Sequence, residues 1–168
     1  MTITEQKAAQ RKAGIAARRA LSDTERTRSN AALCARIMLW PASKRQKTSC
    51  STRLRRRSRS LGAGCGSGPA GQNAGLPRLR RGLFADSRCA GAGRLGSGLY
   101  GIRTPILSRS EVLRPDQLDL VLVPCTAFDA VCRRVGMGKG YYDRYLPRCT
   151  RAVKLGVAFE AQRWIKRQ

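Results

Sequence analysis

Residues 119–159, DLVLVPCTAFDAVCRRVGMGKGYYDRYLPRCTRAVKLGVAF, decide how this chain folds. The stretch 118–123 is apolar without alternation and stops at Pro124, the pattern of a strand covered on both faces. A loop follows, then three glycines at 136, 138 and 140, then a short helix that starts near Tyr141 and stops at Pro147. Residues 152–159, AVKLGVAF, read as a second strand. Strand, glycine loop, helix and strand in that order make an α/β unit with a parallel sheet.

The glycine loop carries the chemistry. Glycine lets the backbone take positive φ and approach a ligand closely, and successive amides in such a turn can face an anion. A helix starting at Tyr141 would add partial positive charge at the same place. Lys139, with Arg133 and Arg134 just upstream, would neutralise phosphate oxygens, and Asp143 would hold a Mg²⁺ that bridges them. The loop is neither a Walker loop, since no Ser or Thr follows Lys139, nor G-x-G-x-x-G, since the third glycine comes one residue early. By spacing alone, an ordinary strand-to-helix turn remains open, with Tyr141 and Tyr145 as core on one helical face.

Toward the N-terminus, residues 4–20 are rich in Ala, Lys, Gln and Arg and predict a helix with Gly14 as its weak point. Ser22-Asp23-Thr24-Glu25 fits a capping box for a second helix that ends near Trp40, before Pro41, with Leu33, Ile37 and Trp40 as its buried stripe. Between these helices and the α/β unit, the segment 51–98 holds ten arginines, no lysine, one acid (Asp86) and eleven glycines, without helical or strand periodicity. That composition predicts disorder.

The chain has 168 residues and a net charge of +24, enough length for one domain and a balance that favours an anionic partner. Nine aromatics, concentrated around 141–145, are few for stacking single-stranded nucleic acid. No stretch has the length and apolarity of a signal peptide or membrane span, so a cytoplasmic protein is expected. Seven cysteines without a C-x-x-C pair, and no histidine, read as reduced thiols.

The motifs DLVLVPCTAFD, RRVGMGKGYYDRYL and KLGVAFEAQ, in this order and spacing, closely resemble the 5-formyltetrahydrofolate cyclo-ligase family, also called methenyltetrahydrofolate synthetases, over about 115–162. KAAQRK at 7–12 resembles that family's first basic element. The resemblance implies a single cyclo-ligase-like domain, a three-layer Rossmann-like α/β sandwich with a mainly parallel sheet. It implies ATP- and Mg²⁺-dependent conversion of 5-formyltetrahydrofolate, a reduced formyl-folate, to 5,10-methenyltetrahydrofolate; a monomer is expected. Carried over by position, Lys7, Arg11, Arg134, Val135, Gly136, Met137, Gly138, Lys139, Gly140, Tyr141 and Tyr142 would contact ATP. Met137, Gly138, Lys139, Gly140 and Tyr141 would also meet the folate, Asp143 would ligate the metal, and Lys139 and Arg134 would be catalytic.

Three parts follow: helices over 1–50, the Arg/Gly-rich segment over 51–98, and the half carrying the nucleotide loop over 99–168. The family's acid-containing strand and helix are not visible in 51–98, and its pattern continues past the final RWIKRQ, so an incomplete sheet and a truncated C-terminal part are expected. Changes of reading frame would produce such a middle segment; an authentic disordered insertion is the alternative. Two other functional readings stay open: a degenerate copy without activity, and a basic nucleic-acid-binding protein that uses the arginine-rich middle.

Overall fold

The computed structural model of the protein describes residues 2–39, 48–51, 73–80, 83–89, 95–97, 103–106, 108 and 111–164. Helix α1 (Ile3–Ala20) opens on a capping box that the composition of 4–20 did not reveal: the Thr2 hydroxyl accepts from the Glu5 amide at 3.3 Å, and the Glu5 carboxylate accepts from the Thr2 amide at 2.7 Å. Helix α2 (Asp23–Leu39) starts at the expected box. Ser22 Oγ accepts from the Glu25 amide at 3.2 Å and donates to Glu25 Oε2 at 2.6 Å. The Ser22 hydroxyl and amide hold the Glu25 carboxyl below its ordinary range. Of the expected stripe, Ile37 is buried and Leu33 half-buried, while Trp40 lies outside the described residues.

Among the described residues, six strands form one sheet in the spatial order Val153–Val157, Leu120–Pro124, Thr48–Ser51, Asn73–Arg80, Leu83–Cys89, Glu111–Leu113. They are β1 (Thr48–Ser51), β2 (Asn73–Arg80), β3 (Leu83–Cys89), β6 (Glu111–Leu113), β7 (Leu120–Pro124) and β10 (Val153–Val157). β10, β7, β1 and β2 run parallel to one another, whereas β3 is antiparallel to β2 and to β6. Two small ladders join β4 (Leu95–Ser97) to β5 (Arg103–Pro105), and β8 (Ala127–Phe128) to β9 (Arg134–Val135).

The expected strand at 118–123 begins two residues later and ends one later: Leu118 is fully buried but precedes the strand, which includes Pro124. The described part of 51–98 departs further from the expectation of disorder, because 73–80, 83–89 and 95–97 lie in strands. Strand pairing is made by backbone groups, which composition does not report. Ser51 ends β1, and the rest of that segment lies outside the described residues.

β7 shows why the fold has three layers. Its alternate residues Leu120 and Leu122 join Ile37 and Val157 on one face, with Leu33, Cys34 and Leu155 against them. Val121 and Val123 join Leu118, Tyr145, Cys149 and Ala152 on the other. The first cluster is covered by α2 and the second by helix α3 (Tyr141–Tyr145), so the unbroken apolar run reflects burial on both faces. Tyr145, with 2% of its surface exposed, is core as the helical spacing allowed.

From β1 the chain continues to β2 on one side, and from β7 to β10 on the other. Neighbouring strands whose connections leave in opposite directions create a crevice at their carboxyl ends, where α/β proteins bind ligands. The segment that follows Pro124 starts at this crevice and contains the β8–β9 hairpin and the glycine loop. Among the described residues no helix is long and apolar enough to cross a membrane.

Candidate nucleotide-loop site

The base of the loop is tied to β7. The Thr126 amide donates to the Val135 carbonyl at 2.7 Å, and the Thr126 hydroxyl, 1% exposed as a residue, donates to the same carbonyl at 2.9 Å with the Gly136 carbonyl 3.3 Å away. Gln162, in the 3₁₀ turn Glu160–Gln162, sends its amide nitrogen to the carbonyls of Cys125 and Thr126 at 3.0 and 2.9 Å, while its oxygen accepts from the Phe159 amide. The hairpin itself is closed by Asp129, whose carboxylate accepts from the amides of Val131 and Arg133 and pairs with the Arg133 guanidinium at 3.0 Å.

Helix α1 reaches the loop from the side. Gly14 is buried against the Thr126–Ala127 backbone so closely that an added Cβ would collide with the Thr126 carbonyl. This contact fixes Arg11, one turn earlier, with its Nε donating to the Gly136 carbonyl at 2.9 Å. Lys7 lies one further turn toward the N-terminus, exposed, on the same side of the helix by the i, i+4 rule.

Gly138 and Gly140 adopt φ of 90° and 64°, in the region that L side chains rarely enter. The Arg11 guanidinium would lie 3.3 Å from a Cβ built at Gly138, so this turn packs directly on the arginine. Lys139, between the two glycines, is exposed and makes no ion pair with a described residue. Its carbonyl accepts from the Arg144 guanidinium at 3.0 Å, and that guanidinium also sits over the Tyr141 ring at 5.8 Å.

Arg134 and Asp143 face each other: Nη2 and Oδ1 are 2.7 Å apart, and the Arg134 guanidinium lies 5.5 Å from the centre of the Tyr142 ring. Tyr141 and Tyr142 are half-buried against the core. Met137 is 59% exposed, and Val135 contributes its carbonyl to Thr126.

The structure thus gathers Arg11, Arg134, Gly136, Gly138, Lys139, Gly140, Tyr141, Tyr142 and Asp143 into one loop region, with Met137 projecting from it. It shows no hydrogen bond from Lys7 to that loop among the described residues. Thr126, Gln162, Gly14 and Arg144 escaped sequence reasoning. The signal for Thr126, Arg144 and Gln162 was their place in DLVLVPCTAFD, RRVGMGKGYYDRYL and KLGVAFEAQ; for Gly14, only the packing reveals a role.

One electrostatic expectation changes. α3 is five residues long with Gly140 at its N-cap, and so short a helix builds little end charge. An anion entering this loop would instead meet the guanidinium groups of Arg11, Arg134 and Arg144, the Lys139 ammonium and the loop backbone.

A metal ion would find one carboxylate here, Asp143, and among the described residues no group of three His, Cys, Asp or Glu side chains could hold one alone. A single exposed carboxylate fits a hard cation that brings most of its ligands as phosphate and water. Burial raises the thiol pKa of Cys125, beneath the loop, against a smaller opposing pull from Arg134; burial likewise raises that of Cys149.

These features define an α/β protein with a basic glycine loop at a topological switch point. The chain belongs to the 5-formyltetrahydrofolate cyclo-ligase family, whose model matches residues 3–164.

A 5-formyltetrahydrofolate cyclo-ligase of Mycoplasma pneumoniae is 42% identical over 55 residues, which are 32% of this chain and 34% of that protein. One of Mus musculus is 51% identical over 41 residues, 24% of this chain and 20% of that protein. The aligned stretches therefore span about a third or less of these relatives. The solution structure of a 5,10-methenyltetrahydrofolate synthetase from Aquifex aeolicus superposes with a TM-score of 0.75 at 26% identity, over 96% of this chain and 83% of that one. A synthetase structure from Mycoplasma pneumoniae shares the fold with a TM-score of 0.66 at 22% identity, over 96% and 90% of the two chains. Nothing in these similarities supports the nucleic-acid reading.

Proposed function

We propose that this chain is an ATP-dependent ligase that converts 5-formyltetrahydrofolate to 5,10-methenyltetrahydrofolate with release of ADP and phosphate. The observation that carries the proposal is the convergence of Arg11 with Arg134, Lys139 and Asp143 on the Gly136–Gly138–Gly140 turn, within a family match that spans 3–164.

In this reading, the formyl oxygen forms a bond to the γ-phosphorus while the bond to the ADP oxygen breaks. N10 then attacks the activated formyl carbon and closes the ring, the carbon–oxygen bond to phosphate breaks, and the N10 proton leaves with the expelled phosphate. Such a reaction needs reactants held in line and negative charge neutralised more than it needs a protein nucleophile. Lys139, exposed between two glycines, and Arg134, steadied on Tyr142, are the groups proposed to take that charge. Lys7 and Arg11 would hold the phosphate tail from α1. The folate would lie along Met137, Gly138, Lys139, Gly140 and Tyr141, where Met137 offers an exposed apolar side chain.

Mg²⁺, held by Asp143 and the phosphates, would supply further charge neutralisation. The enzyme is proposed to work as a monomer in the cytoplasm, in keeping with free thiols at Cys34, Cys125, Cys132 and Cys149.

The test is the appearance of the methenyl chromophore when purified protein meets 5-formyltetrahydrofolate, ATP and Mg²⁺. Lys139→Ala should lower the rate at least about tenfold; near-normal turnover would remove Lys139 from the mechanism. ATP binding without any chromophore would instead mark a degenerate copy of the enzyme.

A further inference from the structure

A phosphate entering this loop meets a guanidinium that is already engaged. Arg134 Nη2 lies 2.7 Å from Asp143 Oδ1, the pair formed by the two charged groups assigned above to phosphate and to metal. The two partners differ in freedom. The Arg134 side chain is 21% exposed, stacked at 5.5 Å over Tyr142, and a Cβ at Gly136 would stand only 3.1 Å from its Nη1. The Asp143 side chain is 75% exposed and has a single described contact. When an anion claims Arg134, Asp143 is therefore the group that swings away.

We propose that Asp143 is a resident competitor for the anion site and makes the loop discriminate metal-complexed from metal-free polyphosphate. This deepens the ATP-site reading above and rests on it. A bare polyphosphate must displace the Asp143 carboxylate from Arg134 and then sit beside it, with like charges opposed and no cation between them. A polyphosphate that brings a divalent cation meets the displaced carboxylate as a ligand instead of a repellent. The same side chain thus penalises one form of the nucleotide and welcomes the other.

The experiment is calorimetric binding of ATP to the full chain, in EDTA and in Mg²⁺, for the wild type and for Asp143→Asn. The variant keeps the shape of an exposed side chain, and thermal denaturation verifies its fold. Without metal, Asp143→Asn should bind ATP about 3- to 10-fold more tightly than the wild type. Adding Mg²⁺ should tighten the wild type and help the variant far less.

Metal-free affinity that is unchanged or weaker in Asp143→Asn overturns the proposal. A full gain that persists when Arg134→Gln is added also overturns it, since the effect would then not pass through Arg134. If wild-type protein binds no ATP in either condition, the proposed function falls together with this inference; if it binds and the variant gains nothing, only this inference falls.

Discussion

Replacing Gly14 by alanine sets two physical effects against each other. In an isolated helix the change is favourable by about 0.8–1.0 kcal/mol, because glycine surrenders more backbone freedom on folding. In this fold a Cβ at position 14 would collide with the Thr126 carbonyl and crowd the Ala127 Cβ at 3.3 Å. Thr126 cannot retreat easily: its amide and hydroxyl are bound to Val135, and its carbonyl is held by Gln162 at 2.9 Å. Overpacking against backbone belongs at the upper end of a roughly 1–3 kcal/mol range.

Subtracting the helix gain leaves a loss of about 2 kcal/mol, or a melting temperature lower by roughly 4–8 °C for a domain of this size. Displacing α1 also carries Arg11 away from Gly136, so ATP affinity should fall along with stability. The assay is urea denaturation at 25 °C with parallel calorimetric titration of ATP. Ala13→Gly, at an exposed position of the same helix, serves as the propensity control and should cost about 1 kcal/mol. A Gly14→Ala protein more stable than the wild type would refute the close packing of α1 on Thr126.

Gly138→Ala places a side chain at φ 90° against the Arg11 guanidinium, so ATP binding should weaken about tenfold or more and backbone strain of about 1–2 kcal/mol should lower the melting temperature by roughly 2–8 °C; unaltered binding would show that the turn is not part of the site. Cys125 and Cys149 have thiol pKa values raised by burial, so the folded state favours their protonated forms. Their contribution to stability is complete below the unfolded-state thiol pKa and is lost as pH rises through the higher folded-state values. Denaturation midpoints should accordingly fall on the alkaline side, above about pH 8.5, and removal of this extra alkaline loss by Cys125→Ala and Cys149→Ala together would verify the source. In the native protein at neutral pH, exposed Cys132 should be alkylated well before Cys125 and Cys149, as peptide mass mapping would show.

Much of the local structure around the proposed site was legible from residue order. Ser22 and Glu25 announce a helix start because a capping box is local, closed within four residues whatever the rest of the chain does. The run of Leu120, Val121, Leu122 and Val123 declares a strand buried on both faces because water is excluded from both sides of a central strand. Gly138 and Gly140 mark a turn that takes positive φ, and the basic residues beside them are what the proposed anion site rests on.

What the sequence could not show depends on contacts between residues distant along the chain. Gly14 looked like a defect in α1 and is the point where α1 seats against Thr126. Gln162 and Thr126 look like ordinary polar residues until the fold brings them within 3.0 Å of each other and of the loop base, 36 residues apart in the chain. Arg134 and Asp143 carry opposite charges nine residues apart, but only the turn between them makes each the other's partner. Local propensity and burial pattern are properties of short stretches and can be read directly. Which carbonyl an arginine reaches, or which helix position must lack a side chain, is decided by how those stretches pack.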